Sequence, residues 1–141
     1  METIHKVAAV VIDDDKFLMV RKVGKDTWTS LGGHIEKGET EEEALAREIK
    51  EELDCESIIL RKLGDFEAKA AFDSSMLRLS AYLVKLKGTP KVVDPELEEF
   101  QFIGKDYKKR GIKLPESIEN GLLPYCLKYN LLNWQVTSAK V

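Results

Sequence analysis

The sequence predicts an α/β fold, a mixed sheet sandwiched between two helical layers, and three observations predict it. Valine-rich and alternating apolar runs, the mark of strands, flank one amphipathic helical stretch in the first half of the chain. Several strand-like segments follow that helix, and a second helical period lies near the C-terminus. The 141 residues suit one domain with a sizeable core. Residues 1–134 are expected to form it, with 135–141 fraying as a tail.

In chain order, residues 6–12 read as a buried strand, Asp13-Asp14-Asp15 as a hairpin tip and residues 17–20 as the returning strand. The three aspartates lack the alternating spacing and closing glutamate of a calcium loop. Residues 27–31 form a short strand feeding a glycine turn, Gly32-Gly33-His34-Ile35-Glu36-Lys37-Gly38-Glu39. Thr40 then supplies an N-cap and Glu43 completes a capping box. Leu45, Ile49 and Leu53 make the apolar stripe of a helix running from about Glu41 to near Asp54. Residues 57–60, 64–70 and 77–86 read as strands, and 87–90 as a turn. Residues 95–103 are an acidic stretch leading into a last strand. A helical period spans 117–132, interrupted by Gly121 and Pro124; it is one helix or two short ones, with Pro124 opening the second.

The chemistry lies beside the apolar stripe of the first helix. At about 100° per residue, Glu48, Glu51 and Glu52 fall within roughly a third of the circumference. Like charges at this spacing repel, and they sit toward the C-terminal end, where the helix dipole disfavours anions. Arg47 is the one cation beside them. A solvated acidic face is the bland reading. A divalent cation would remove the repulsion, and Mg²⁺ takes carboxylates, waters and substrate phosphates as ligands.

Composition narrows the classes. A net charge of −3 gives no sequence-wide attraction to nucleic acid or anionic membrane, so neither is expected as a partner. The longest apolar run, residues 7–12, is far too short to cross a bilayer. No basic leader precedes it, and a cytoplasmic setting is the expectation. Cys55 and Cys126 have no metal-type spacing and are too few for a disulfide framework.

One stretch carries a family resemblance. Gly33, five residues, Glu39, seven residues and Arg47-Glu48-Ile49-Lys50-Glu51-Glu52-Leu53-Asp54-Cys55 together resemble the Nudix box. Asp54 stands where the family has glycine, and Cys55 takes the final aliphatic place. Leu31 replaces the proline common before the paired glycines. Aspartate tolerates a left-handed C-cap better than most residues, so the chain can still turn there.

The resemblance is to a small, single-domain MutT-type Nudix hydrolase. It implies an α/β/α sandwich with the box helix on one side of a mixed sheet and a C-terminal helix on the other. The implied reaction is hydrolysis of a pyrophosphate bond in a nucleoside diphosphate linked to another moiety, with Mg²⁺, or Mn²⁺, as cofactor. A nucleoside triphosphate, ordinary or oxidised, is the favoured substrate. ADP-ribose and dinucleoside polyphosphates are alternatives, as is a non-catalytic nucleotide-binding regulator. The implied metal ligands are the Gly32 carbonyl, Glu48, Glu51, Glu52 and Glu99, with Glu96 in reserve. Glu48 and Glu52 are the catalytic carboxylates, Glu48 as ligand or general base. Arg47 and Glu39 pair to hold the glycine turn on the helix. Arg21, ahead of Lys22 at a strand end, is the candidate for substrate phosphate, and Gly33 permits close backbone approach. Residues 71–75 would face the organic part of the substrate, a small molecule, and the enzyme is expected to be a monomer or homodimer. Trp28 is expected in the core or at the rim, and His34 is expected as a turn residue.

Overall fold

A computed structural model describes residues 3–69 and 75–134. Its strands are β1 (Thr3–Val10), β2 (Ile12–Asp13), β3 (Lys16–Lys22), β4 (Trp28–Thr29), β5 (Leu31–His34), β6 (Glu56–Lys69), β7 (Met76–Lys87) and β8 (Leu97–Ile103). The helices are α1 (Glu41–Leu53) and α2 (Leu123–Lys128), the second preceded by a π-helical turn at Ile118–Leu122.

Two sheets result. The first has the order β5-β1-β7-β6 and is mixed: β1 and β7 are parallel, and the other pairs antiparallel. The second is antiparallel, β2-β3-β4, with β8 also on β3. Successive side chains of a strand point to opposite faces, and β1 uses both. Val7 and Ala9 pack with Leu45, Ile49 and Leu53 of α1. Ala8 and Val10 pack with Leu122, Leu123 and Cys126 on the other side. The expected sandwich is what forms, because a strand apolar on both faces needs a cover on each.

Four local outcomes depart from the sequence reading or sharpen it. The strand expected at 27–31 is divided: β4 pairs with β3 and β5 with β1, so the chain passes between sheets at Ser30. Gly32 and Gly33 therefore lie inside a strand, opposite Ala8 and Val7, and the turn follows His34. The strands expected at 57–60 and 64–70 are, over the described residues, one strand, β6. Its register shifts between Ile59 and Arg61 and between Lys62 and Gly64, bulges that absorb the residues breaking the alternation. At the hairpin tip Asp14 and Asp15 both take positive φ, 52° and 60°, as a two-residue primed turn requires.

The last helical stretch is divided near Pro124. Proline has no N–H for the helical ladder, and Leu123 donates instead to the Ile118 carbonyl, opening the π turn. α2 ends at Lys128 rather than at 132: Asn130 takes φ 62°, and the Leu131 and Leu132 amides fold back onto the Cys126 carbonyl. Ala70, residues 71–74 of the connection expected to face the substrate, and the tail 135–141 lie outside the described residues.

Candidate active site

The site is built on α1, whose start and end are both set by short-range chemistry. Thr40 Oγ1 accepts the Glu43 N–H at 3.1 Å and Glu43 Oε1 accepts the Thr40 N–H at 2.9 Å, completing the capping box. Asp54 closes the helix at φ 55°, ψ 37°, the left-handed cap its short polar side chain tolerates. The following segment latches this end: Lys91 N–H donates to the Leu53 carbonyl and Val93 N–H to that of Glu52.

Burying Leu45, Ile49 and Leu53 forces the neighbouring face onto β5. Gly32 donates its N–H to Glu52 Oε1 at 3.0 Å. Gly32 has φ 129°, and a Cβ there would collide with the Val7 carbonyl, so only glycine fits. Gly33 lies against Glu48, whose carboxylate fills the space a Cβ would need.

The three helix glutamates are not equivalent. Glu52 is 7% exposed, and burial pushes its carboxyl up to about 8 against the opposing pull of the Gly32 N–H. Glu48 and Asp94 push the same way, while Lys22 opposes them. Burial also raises Glu48, against the pull of Arg47. Glu51, by contrast, is 55% exposed on its side chain and turned to Arg47 at 3.1 Å.

Arg47 is the hub. Its Nε and Nη2 donate to the two oxygens of Glu39 at 2.6 and 3.0 Å, and Nη2 also reaches the His34 carbonyl at 3.1 Å. Nη1 serves Glu48 and Glu51, both at 3.1 Å. The Glu39 hydrogen bond strengthens the hold of Arg47 on its proton, and the same bond holds the Glu39 carboxyl below its usual range. Arg47 and Glu39 thus tie the loop after β5 to α1.

The opposite wall carries cations. Lys22 acts electrostatically on Glu52, Lys6 and His34. Burial lowers the half-buried Lys6, Lys22 adds to this, and Glu48 opposes both. Burial, Lys6 and Lys22 likewise lower His34. Lys6, read only as the first residue of a strand, faces His34 across the β1–β5 pairing. It and Asp94 are the site residues that sequence reasoning missed. Parity on β1 could have flagged Lys6; no signal in the chain pointed to Asp94.

The remaining candidates form their own pair. Arg21 donates to Glu99 Oε2 from Nε at 3.2 Å and Nη2 at 2.7 Å, because β3 and β8 set these residues opposite each other. Its guanidinium also lies 5.8 Å from the centre of the Trp28 ring. Trp28 is in the core, 6% exposed. Glu96 is exposed, with its N–H held by Asp94 Oδ1 at 2.8 Å.

The donor set fits a hard divalent cation. Glu48 and Glu52 are desolvated carboxylates, and Glu52 has no ion-pair partner among the described residues. Among those residues no three acidic side chains gather as a ready metal set; Arg47 Nη1 instead holds Glu48 and Glu51 together, both at 3.1 Å.

Fold and site together define a Nudix hydrolase, an enzyme of pyrophosphate bonds. The NUDIX domain family matches residues 3–107, and the chain belongs to it. It is 31% identical to an RNA pyrophosphohydrolase of a Nitratiruptor species, covering 69% of this chain and 75% of that one. A UDP-X diphosphatase structure superimposes with TM-score 0.76 at 24% identity over 92% of this chain, which spans 64% of that protein's length. The ORF135 protein of E. coli gives TM-score 0.72 at 24% identity, covering 92% of this chain and 94% of that one. A MutT protein from Methanosarcina mazei Go1 gives 0.73 at 18%, covering 91% and 96%. No helix among the described residues is long and apolar enough to cross a membrane.

Proposed function

We propose that this chain hydrolyses the pyrophosphate bond of a nucleoside triphosphate, ordinary or oxidised, with Glu48, Glu51, Glu52 and the Gly32 carbonyl holding Mg²⁺ or Mn²⁺. The observation that carries the reading is the pair of desolvated carboxylates, Glu48 and Glu52, seated on Gly33 and Gly32. Glu48 has Arg47 as a partner at 3.1 Å, but Glu52 is buried with no ion pair among the described residues, an unfavourable state for a carboxylate that a divalent ion offsets directly. Such an ion, when bound, supplies Lewis-acid stabilisation of phosphoryl oxygens and lowers the pKa of water.

The chain's own residues do the rest. Lys6 and Lys22 offer positive charge to phosphates entering beside His34. Glu48, raised by burial, is suited to take a proton from the attacking water. Arg47 and Glu39 fix the loop so that the glycine backbone stays against the helix. Arg21 can exchange its Glu99 partner for a substrate phosphate, since guanidinium serves carboxylate and phosphate with the same fork, and Glu99 is then free to act as a further ligand. The test is Glu52→Gln assayed for pyrophosphate or phosphate release across a nucleotide panel with Mg²⁺. Loss of turnover in a folded protein supports the reading, and full activity would overturn it.

ADP-ribose and dinucleoside polyphosphates remain the alternative substrates, because their metal-bridged phosphates present the same chemistry. The panel separates them by kcat/KM.

A further inference from the structure

Among the described residues four polar or charged side chains are buried: Ser30, Glu52, Ser80 and Ser117, at 8%, 7%, 0% and 5% exposure. Two of them have partners. Glu52 accepts the Gly32 N–H, and Ser80 Oγ donates to Asp65 Oδ1 at 2.6 Å and lies 2.8 Å from His5 Nε2. The Ser30 and Ser117 hydroxyls have no hydrogen bond among the described residues. Ser117 does not even cap the helical turn that it opens. A buried hydroxyl without a partner is destabilising, and native structures keep few of them. Two on neighbouring segments mark a place where a polar partner arrives from outside.

Both serines lie beside the glycine strand. Ser30 immediately precedes β5 and stands two residues before Gly32, about 7 Å along the chain at ~3.4 Å per residue. Leu31 packs with α1, so alternation turns Ser30 to the opposite face, the side on which Ala8, Val10 and Trp28 pack. Ser117 reaches the same layer from the C-terminal segment. Thr27 bridges Lys113 in parallel, and the Lys113 carbonyl accepts the Trp28 N–H at 2.8 Å. Residues 113–117 therefore set out beside 27–30 in the same direction. Ile118, the next residue, is buried in one core with Ala8 and Trp28, and Ala8 lies opposite Gly32.

We propose that Ser30 and Ser117 determine specificity, their hydroxyls hydrogen-bonding the polar edge of the substrate's nucleobase. This rests on the hydrolase reading above and places the part of the substrate which that reading leaves unassigned. The phosphates have charged partners in Lys6 and Lys22. Two neutral hydroxyls in an apolar layer suit a flat, uncharged group instead, since a phosphate there would lose its hydration without a counter-charge. A serine hydroxyl rotates to donate or to accept, so amino and keto edges are served alike, on ordinary and oxidised bases.

The test compares wild type with Ser30→Ala/Ser117→Ala by calorimetric titration in Mg²⁺. The probes are the α,β-methylene analogues of adenosine and guanosine triphosphate, with the matching ribose 5-triphosphate analogue and inorganic tripolyphosphate as base-free controls. The double variant is expected to bind both nucleotide analogues about 4- to 100-fold more weakly, two hydrogen bonds at about two- to tenfold each. The ratio of nucleotide to ribose triphosphate affinity should fall by the same factor. Without ligand its melting temperature should match or exceed that of wild type, because alanine removes an unsatisfied group. An unchanged affinity ratio overturns the proposal, whether the affinities stay constant or fall equally for the ribose probe. So does a loss confined to one base. A lower melting temperature in the variant would show that the hydroxyls have a structural partner, and it too counts against the proposal. If wild type releases no phosphate from any nucleotide, the hydrolase reading fails, and the affinity ratio still decides whether the serines read the base.

Discussion

Glu52 accepts the Gly32 N–H at 3.0 Å across twenty residues of chain, and this bond is its counterweight to burial. The contact joins the two halves of the family signature, the glycines on β5 and the carboxylates on α1. It also means that one side chain carries both a functional charge and a folding penalty.

The first prediction concerns that penalty. Glu52 titrates near 8 in the fold and near 4.3 when unfolded, so between those values the folded state binds more protons. Metal-free stability is therefore highest below the unfolded pKa and falls as pH rises through about 8. Glu52→Gln removes the titration and keeps an oxygen for the Gly32 N–H. In EDTA its melting temperature should exceed wild type's at pH 8, with the gain shrinking toward pH 5. Metal-dependent turnover should be lost, because the substitution removes a charged carboxylate from the proposed ligand set of the ion. A stability difference independent of pH would sink the argument.

Gly33 and Gly32 should respond differently to alanine. At Gly33 the new Cβ meets the Glu48 carboxylate, the end of a side chain that can swing away. Gly33→Ala should fold with a loss of about 1–3 kcal/mol, typical of overpacking, while Mg²⁺ affinity falls on calorimetric titration. At Gly32 the Cβ meets the Val7 backbone and φ is 129°. Gly32→Ala should lose far more stability, which thermal melts of the two variants will show.

Arg47→Lys tests the hub. Lysine cannot reproduce the fork that holds both Glu39 oxygens and the His34 carbonyl. Activity should fall about 10- to 100-fold, the usual consequence of removing an outer-shell support. Glu39→Gln should add little on top of it, because the two residues act through one contact. Additive losses in the double-mutant cycle would show that they act separately.

Arg21→Ala should raise KM for triphosphate substrates more than it lowers kcat, if the guanidinium exchanges Glu99 for phosphate. The pair is partly exposed, so its stability coupling should be within about 1 kcal/mol. Steady-state kinetics of Arg21→Ala, Glu99→Gln and the double variant provide the measurement. An unchanged KM in Arg21→Ala counts against Arg21 as a phosphate contact.

Much of the architecture was legible because it rests on local rules. The capping box at Thr40 and Glu43, the stripe of Leu45, Ile49 and Leu53 and the left-handed cap at Asp54 involve residues within four positions of each other. The period of the helix then fixed which face Glu48 and Glu52 share. The bulged strand β6 and the π turn before Pro124 were harder, because extra residues in a ladder show in pairing rather than in periodicity.

By itself the sequence determined the α/β order, the ends of α1 and the acidic face that gives this Nudix chain its chemistry. Only the tertiary structure decided that Glu52 is buried while Glu51 is exposed. It alone brought Lys6, Lys22 and Asp94 to the site and tied Arg21 to Glu99, 78 residues away. Short-range periodicity fixes which face of an element is apolar. Which partner meets the polar face depends on how sheets register and pack, and that is written in contacts between segments far apart in the chain.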